Sequence, residues 1–172
     1  MTTTLALDPA MPQTIGEAFA HIGKVTAPTA LDIKVMVLVE AASKELYRAS
    51  AAQSDNPAVA DLLVANGDEE FLHATRAAAA LKALTGEEFA PPAAQNNPYL
   101  AGGAFPLAEL TPAALRKLAD AEFAGEALYE GWAASIGNAE AAALFRANGK
   151  EETDHGNRLL AAAALLDSAL EG

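Results

Sequence analysis

The sequence contains no cysteine and comparatively little positive charge. Without cysteine, disulfides, zinc–thiolate sites, iron–sulfur clusters and thiol catalysis are excluded, so oxygen and imidazole must bind any metal. Lys and Arg number 11 against 23 Asp and Glu, which gives a formal net charge of −12. Nucleic acids and anionic membrane surfaces bind to basic patches. The composition therefore predicts neither as a partner and favours a metal ion or another cationic ligand.

Long hydrophobic runs are missing as well. Although 52% of the residues are hydrophobic, the longest uninterrupted apolar run, Leu159 to Leu166, is far shorter than the roughly 18 to 20 residues of a membrane span. Residues 1–14 contain no Lys or Arg and no sustained apolar stretch, unlike a secretory signal or an Arg-rich transit peptide. We therefore expect a soluble, cytoplasmic protein with a single main domain.

The pattern of the chain predicts an all-α fold. Alanine is abundant, β-branched residues are sparse, and no segment alternates polar with apolar residues. Capping residues and prolines divide the chain into four long helices, predicted over residues 31 to about 52, 57 to about 84, 112 to about 136 and 139 to about 169. We expect residues 29–172 to form a four-helix bundle and residues 1–28 to form an N-terminal arm with a short helix.

A connector of unusual composition joins the second and third long helices. Paired prolines and glycines exclude a long helix between about residues 86 and 110. A helix of about 25 residues is roughly 38 Å long, and a connector of this length can run back along it. The predicted architecture is therefore two antiparallel helical hairpins joined by a long crossover.

The two halves of the chain are related by an internal duplication. Residues 66–76 match residues 148–158 at an offset of 82, with six of eleven positions identical and none of them alanine. The same offset pairs Glu40 with Glu122 and Tyr47 with Tyr129. The sequence therefore contains the same helical hairpin twice.

The duplication predicts a cluster of acidic residues and histidines in the bundle interior. A glutamate is followed three residues later by a histidine at Glu70 and His73 and again at Glu152 and His155. The two residues of each pair therefore share one helix face. The four glutamates all lie 15 residues from the expected hairpin turns near Asp55 and Gly137, or about 22 Å along each helix. Buried carboxylates without partners each cost several kcal/mol, a cost that two divalent or trivalent cations remove. The predicted ligand layer is Glu40, Glu70, His73, Glu122, Glu152 and His155.

This pattern resembles the ferritin-like di-iron carboxylate superfamily and is most similar in motif to bacterioferritin and to the di-iron domain of rubrerythrin. The resemblance covers residues 31–169 and implies two iron ions per chain, although manganese or a mixed iron–manganese pair would suit the same donors. It implies that each metal has two terminal ligands and that two glutamates bridge the metals. These roles fall to Glu40 and His73 on one metal, Glu122 and His155 on the other, and Glu70 and Glu152 between them.

Further duplicated residues surround the predicted ligands. Tyr47 and Tyr129 lie two helical turns beyond Glu40 and Glu122 on the same face, which predicts hydrogen bonds to carboxylates of the opposite hairpin. The resemblance supports that role. It also suggests that two further acids, Glu69 and Glu151, orient the ligand histidines of the other half.

Other residues near the site are less symmetric. Lys44 and Glu126 occupy equivalent positions one turn after a ligand glutamate, so Glu126 is either a candidate seventh, movable ligand or the ion-pair partner of Lys44. Arg76 and Arg158 are duplicated, and we expect them to form salt bridges directed away from the site. Trp132 is expected to pack in the core.

Three functions are compatible with such a site. The first is a rubrerythrin-like oxidoreductase that reacts with peroxide or dioxygen; because the chain lacks cysteine for a rubredoxin-type relay, it would require an external electron donor. The second is ferroxidase activity and iron storage of the ferritin type. The third is a di-metal oxygenase or a non-redox metal-binding protein. The resemblance and the frequency of symmetric oligomers predict a homodimer.

Overall fold

The computed structural model describes residues 5–170, and these residues form five α-helices and two short 3-10 turns without any β-strand. This confirms the predicted all-α fold. A short helix precedes four long ones, and the bounds of the long helices lie close to those predicted. The helices are α1 (Ile15–Ile22), α2 (Ala30–Ala51), α3 (Pro57–Thr85), α4 (Pro112–Ser135) and α5 (Ala139–Leu170).

Local capping chemistry sets the ends of the long helices. A side-chain oxygen accepts a hydrogen bond from a backbone N–H of the first turn at the start of each long helix, which satisfies a donor that has no partner within the helix. The capping residues are Thr29, Asn56, Thr111 and Asn138. At the end of α3, Gly86 adopts a left-handed conformation with φ of 76°, which favours glycine because it has no Cβ.

The bundle is assembled from two hairpins. Helix α2 packs on α3, α4 packs on α5, and the hairpins meet through α3 and α5. Within the described residues, α2 and α4 make almost no close backbone contact with each other. One face of the bundle is therefore more open than the others.

The crossover between α3 and α4 lies along α2. It contains 3-10 turns at Ala94–Asn96 and Pro98–Leu100. The side chain of the buried Asn97 donates to the carbonyl oxygen of Leu38 at 2.9 Å, and the N–H of Leu107 donates to the Ser50 hydroxyl at 2.9 Å. These bonds fix the crossover to the outer side of the first hairpin.

The N-terminal arm is fixed to the bundle on both sides of α1. The Tyr99 hydroxyl donates to the carbonyl oxygen of Pro12 at 3.0 Å, and the Trp132 indole donates to that of Val25 at 2.8 Å. His21 Nε2 lies 2.6 Å from Asp32 Oδ1 at the start of α2. Trp132 is fully buried, as the sequence predicts. The arm thus contacts α2, the crossover and α4.

Two apolar clusters fill the bundle, one toward each end. One includes Ile33, Leu81 and Phe145, and the other includes Leu63 and Leu159. Five of the predicted ligands lie on the stretches of α3, α4 and α5 between these clusters, and Glu40 lies on α2 among residues of the first cluster. No helix within residues 5–170 has both the length and the apolar content that crossing a membrane requires.

Candidate metal centre

The structure brings six of the seven candidate ligands together in one layer. Within the part of the chain described, three overlapping groups of these residues have ligand atoms that all lie within 4.8 Å of one another. Four of the residues, Glu70, His73, Glu152 and His155, each belong to two groups and so connect them, whereas Glu40 and Glu122 each belong to one. The groups are Glu40, Glu70 and His73; His73, Glu152 and His155; and Glu70, Glu122, Glu152 and His155.

Both histidines direct Nδ1 toward the acidic residues. His155 Nδ1 lies 3.2 Å from Glu70 Oε1 and 3.5 Å from Glu152 Oε2, and His73 Nδ1 lies 3.2 Å from Glu152 Oε1. The imidazole rings stack with their centroids 5.0 Å apart and are fully buried. Within the described residues, neither Nδ1 atom forms a hydrogen bond. Buried polar atoms without hydrogen bonds are rare in native proteins, and a metal ion would satisfy these two.

The opposite nitrogen of each histidine contacts a glutamate from the other hairpin. His73 Nε2 lies 3.0 Å from Glu151 Oε2, and His155 Nε2 lies 3.1 Å from Glu69 Oε2. An ionised carboxylate only accepts, so Nε2 carries a proton, and Nδ1 is the nitrogen that would offer a lone pair to a metal ion in the cluster. These contacts agree with the orienting role suggested for Glu69 and Glu151 and suit the histidines to metal ligation.

Two arginines hold the orienting glutamates. Arg76 donates to both carboxylate oxygens of Glu151 at 2.6 and 3.0 Å, and Arg158 donates to both of Glu69 at 2.8 Å. Burial alone would raise the pKa values of the two glutamates, but the arginines outweigh it and lower them. The expected salt bridges are therefore confirmed. The expectation that they point away from the site is wrong, because each ends on the acid that contacts a candidate ligand histidine.

A duplicated pair of asparagines supports the backbone of the histidines. Asn148 donates to the carbonyl oxygen of His73 at 3.1 Å, and Asn66 donates to that of His155 at 3.3 Å. Both side chains are fully buried. Ligand spacing alone gives these asparagines no role, and their identity across the duplication is the sequence signal that indicates one.

The two tyrosines link the hairpins as the spacing predicts. The Tyr47 hydroxyl donates to Glu122 Oε1, and the Tyr129 hydroxyl donates to Glu40 Oε1. Burial raises the pKa of each tyrosine well above its usual value, and the neighbouring carboxylates raise it further. Both phenols therefore keep their protons and act as donors to the acidic residues.

Burial and mutual repulsion act to raise the pKa values of the clustered carboxylates, and the neighbouring histidines act to lower them. Burial raises the pKa of Glu70, and the neighbouring Glu40 raises it further. The pKa of Glu122 is raised to about 7, chiefly by burial. Burial also acts to raise the pKa of Glu152, but the adjacent imidazole rings of His155 and His73 lower it overall. Cations between these groups would remove the repulsion, so the residues fit a carboxylate–histidine metal site.

The protonation of His155 depends on the same carboxylates. Burial acts to lower its pKa, but the nearby carboxylates of Glu122, Glu152 and Glu70 outweigh this effect and raise it. The buried acids thus favour positive charge at the position of this ring. A metal cation would supply that charge through the Nδ1 lone pair.

The seventh candidate, Glu126, lies outside the cluster. Its side chain is exposed, and its carboxylate accepts a hydrogen bond from the Thr153 hydroxyl. The alternative ion pair with Lys44 is also wrong, because Lys44 Nζ lies over the ring of Phe71, 4.6 Å from its centroid. Glu126 lies one helical turn after the candidate ligand Glu122, but its side chain points toward Thr153 of α5 and not into the cluster.

Comparison with known proteins agrees with this geometry. The family model described as rubrerythrin, which represents ferritin-like di-iron proteins, matches residues 37–163 and so includes all six clustered residues. Comparisons with curated proteins and with solved structures find no significant match. Because the family match extends over most of the 172 residues, the chain belongs to the rubrerythrin family.

Proposed function

We propose that the protein is a di-iron oxidoreductase that reduces peroxide or dioxygen with electrons from an external donor. Two irons would be held with two terminal ligands each and two bridging glutamates. The terminal ligands would be Glu40 and His73 on one side and Glu122 and His155 on the other, with Glu70 and Glu152 as the bridges. The single observation that carries the proposal is the pair of buried histidines whose Nδ1 atoms face shared carboxylates.

When bound, two irons would supply two electrons together by passing between the ferrous and ferric states. The side chains around them hold the donor set in position. Glu151 and Glu69 keep the Nδ1 lone pairs of the histidines directed inward. Tyr129 and Tyr47 donate to Glu40 and Glu122, which reduces the freedom of these carboxylates without neutralising them.

The electron donor must lie outside this sequence. The 172 residues include no cysteine, so they cannot form a cysteine-ligated iron relay. Manganese or a mixed iron–manganese pair would fit the same oxygen and nitrogen donors. We also propose that the protein acts as a homodimer.

Metal analysis of protein purified without chelators tests the proposal directly. We expect about two irons per chain after anaerobic ferrous loading, as in other carboxylate-bridged bundles. Challenge of the loaded protein with peroxide and with dioxygen should oxidise this iron, and peroxide should act faster. Iron content below one per chain, or oxidation no faster than that of free ferrous iron, would contradict the proposal.

A matched pair of glutamate variants locates the site. Glu152→Ala removes a buried bridging candidate, whereas Glu126→Ala removes an exposed glutamate of α4 outside the cluster. We expect the first variant to lose most of the bound iron and the second to keep it. Equal losses would show that the clustered residues are not the binding site.

Size-exclusion chromatography distinguishes the storage alternative. Elution at the mass of about two subunits is expected for a symmetric dimer. A cage of about 24 subunits, together with iron contents far above two per chain, would favour ferritin-type storage instead.

A further inference from the structure

A cavity of about 180 Å³ opens on the bundle face where α2 and α4 diverge. It reaches the clustered carboxylates of Glu40, Glu70, Glu122 and Glu152. Most of its remaining lining is apolar, including Met36. The cavity therefore connects the surface to the candidate metal centre through an apolar passage.

The walls of the cavity follow the internal duplication. Facing residues of α2 and α4 are related by the offset of 82: Val39 with Ala121, Ser43 with Gly125, and Leu46 with Leu128. The cavity thus lies on the approximate twofold axis between the hairpins. In the first two pairs the residue on α4 is the smaller one, which leaves space on that side.

The N-terminal arm completes the cavity and breaks this symmetry. Phe19 and Ile22 of α1 contribute to its lining, and neither belongs to the duplicated hairpins. Ile22 is buried, while 45% of the Phe19 surface is exposed. Hydrogen bonding of Val25 to Trp132 holds the end of the arm against α4. The arm therefore limits the size of the opening.

The charged residues that line the cavity limit which kinds of ligand can bind in it. Among residues 5–170, the four glutamates are the only charged residues that line the cavity, and none of the lining residues is Lys or Arg. In metal-free protein an anion would find no cationic partner, and a cation would lose hydration against the apolar walls. Polar contacts away from the acids are limited to the Ser43 hydroxyl and the two tyrosines, whose hydroxyls already donate to glutamates.

The volume sets the size of the ligand. An apolar protein cavity of about 150 Å³ is known to bind benzene. The cavity here measures about 180 Å³, a volume that includes the space beside the four glutamates. We propose that it binds an uncharged, mainly apolar molecule about the size of a substituted benzene ring, directly beside the carboxylate cluster. The binding of this molecule does not depend on the proposed function. Only the further step, that the molecule reacts at the metal centre, rests on the proposed function.

Methionine methyl groups provide a local test of this binding site. Met36 lines the cavity, whereas Met11 is buried in the arm and is not a lining residue. Toluene titrated into metal-free protein labelled with ¹³C at the methionine methyl groups should shift the Met36 signal in a saturable manner and leave the Met11 signal unchanged. Benzoate, which has nearly the same shape but a negative charge, should shift neither signal. Absence of a saturable Met36 response, or an equal response to benzoate, would overturn the proposal.

A filled cavity provides the matched control. Ala121→Phe adds a ring at the α4 wall, whereas Ala134→Phe adds the same ring at an exposed position of α4 that does not line the cavity. We expect the first variant to weaken toluene binding at least tenfold, about 1.4 kcal/mol, and the second to change it less than twofold. Equal affinities in the two variants would place toluene elsewhere. The comparison with benzoate requires no variant and decides the matter if Ala121→Phe does not fold.

Titration of metal-free and zinc-loaded protein separates this proposal from the proposed function. A Met36 response in the metal-free protein supports the binding site even if iron loading fails. Normal iron loading and oxidation without any Met36 response in either form would overturn the binding site and leave the proposed function intact.

Discussion

Tyr47 and Tyr129 each connect the two hairpins through one hydroxyl group. Each hydroxyl donates to a glutamate of the opposite hairpin, and each phenol is nearly completely buried. Burial and the nearby acids raise the pKa of both phenols, so they remain donors across the ordinary pH range. Loss of one hydroxyl would leave a buried carboxylate with more freedom and one partner fewer.

Tyr129→Phe tests this positioning role. The variant retains the ring but releases Glu40, so we expect metal affinity to fall by about 10-fold to 100-fold, a typical effect of residues that orient metal ligands. Isothermal titration with zinc or manganese would measure the change.

Tyr99→Phe is the matched control for that substitution. The Tyr99 hydroxyl donates to Pro12 in the N-terminal arm and not to a clustered acid. Its removal should leave metal affinity unchanged within twofold, about 0.4 kcal/mol. A similar loss of affinity in both variants would mean that tyrosine hydroxyls stabilise the fold in general and have no specific effect on the ligands.

Among the helices, two closely packed pairs depend on duplicated glycines. A Cβ at Gly67 would lie 3.0 Å from both the Lys44 carbonyl oxygen and Tyr47 Cβ, and a Cβ at Gly149 would lie 3.0 Å from Tyr129 Cβ. Backbone and Cβ atoms of a packed helix cannot move aside as a flexible side chain can. These glycines therefore allow α3 and α5 to approach the helices that carry the two tyrosines.

Gly67→Ala should accordingly destabilise the bundle by about 1–3 kcal/mol, the usual cost of overpacking. Gly131 lies within α4 with no atom within 4 Å of a Cβ built there. Gly131→Ala should be neutral or stabilise by up to about 1 kcal/mol, because alanine favours a helix over glycine. Chemical denaturation of both variants would compare these effects, and a loss of stability in Gly131→Ala alone would contradict the proposed close approach.

The start of α2 provides a prediction about pH. Asp32 completes the capping box with Thr29 and contacts His21 of the arm. Burial by itself would raise the pKa of Asp32, but hydrogen bonds with Thr29 and the contact with His21 outweigh it and lower the pKa below its usual value of 3.8. A lowered pKa in the folded state stabilises the protein above 3.8, and this stabilisation is lost as the pH falls below that value.

Asp32→Asn should therefore reduce stability at pH 7 by about 1 kcal/mol, a typical value for a capping residue. The difference from the original protein should shrink as the pH falls through 3.8 and below. Thermal unfolding between neutral and acidic pH would measure it. Asp61→Asn, at an exposed position of α3, is the control and should show no comparable difference at pH 7. A difference for Asp32→Asn that stays constant with pH would contradict the role of its charge.

Local signals explain why so much of the fold could be predicted. Capping by Thr29 and Asn138 depends on residues within one turn, and the ligand layer follows from helical spacing and duplication. The contacts of Arg76 and Asn148 could not be predicted from local signals, because their partners lie on another helix more than 70 residues away. The direction of Glu126 depends on a choice between side-chain conformers. The cavity could not be predicted either, because it depends on the separation of α2 from α4, which no local sequence pattern specifies.

For the molecule as a whole, the buried polar layer lies between two apolar clusters and is shared by both hairpins. Its acids repel one another, and its histidines each contact a glutamate of the opposite half. A metal ion bound by ligands from both hairpins would therefore stabilise the assembled bundle and not a single hairpin. Zinc is a suitable probe because it takes nitrogen and oxygen ligands without redox chemistry.

Zinc at a free concentration 100 times the dissociation constant should stabilise the folded protein by about 2.7 kcal/mol for each site. Thermal unfolding with zinc and with a chelator would measure the increment. His155→Gln should lose about the increment of one site, because that ring is a proposed ligand of one of the two metals. His21→Gln removes the contact between the arm and Asp32 of α2. It should therefore lower the baseline stability yet retain the zinc increment. An undiminished increment in His155→Gln would instead locate zinc on the acidic surface, where binding to single helices need not depend on the assembled bundle.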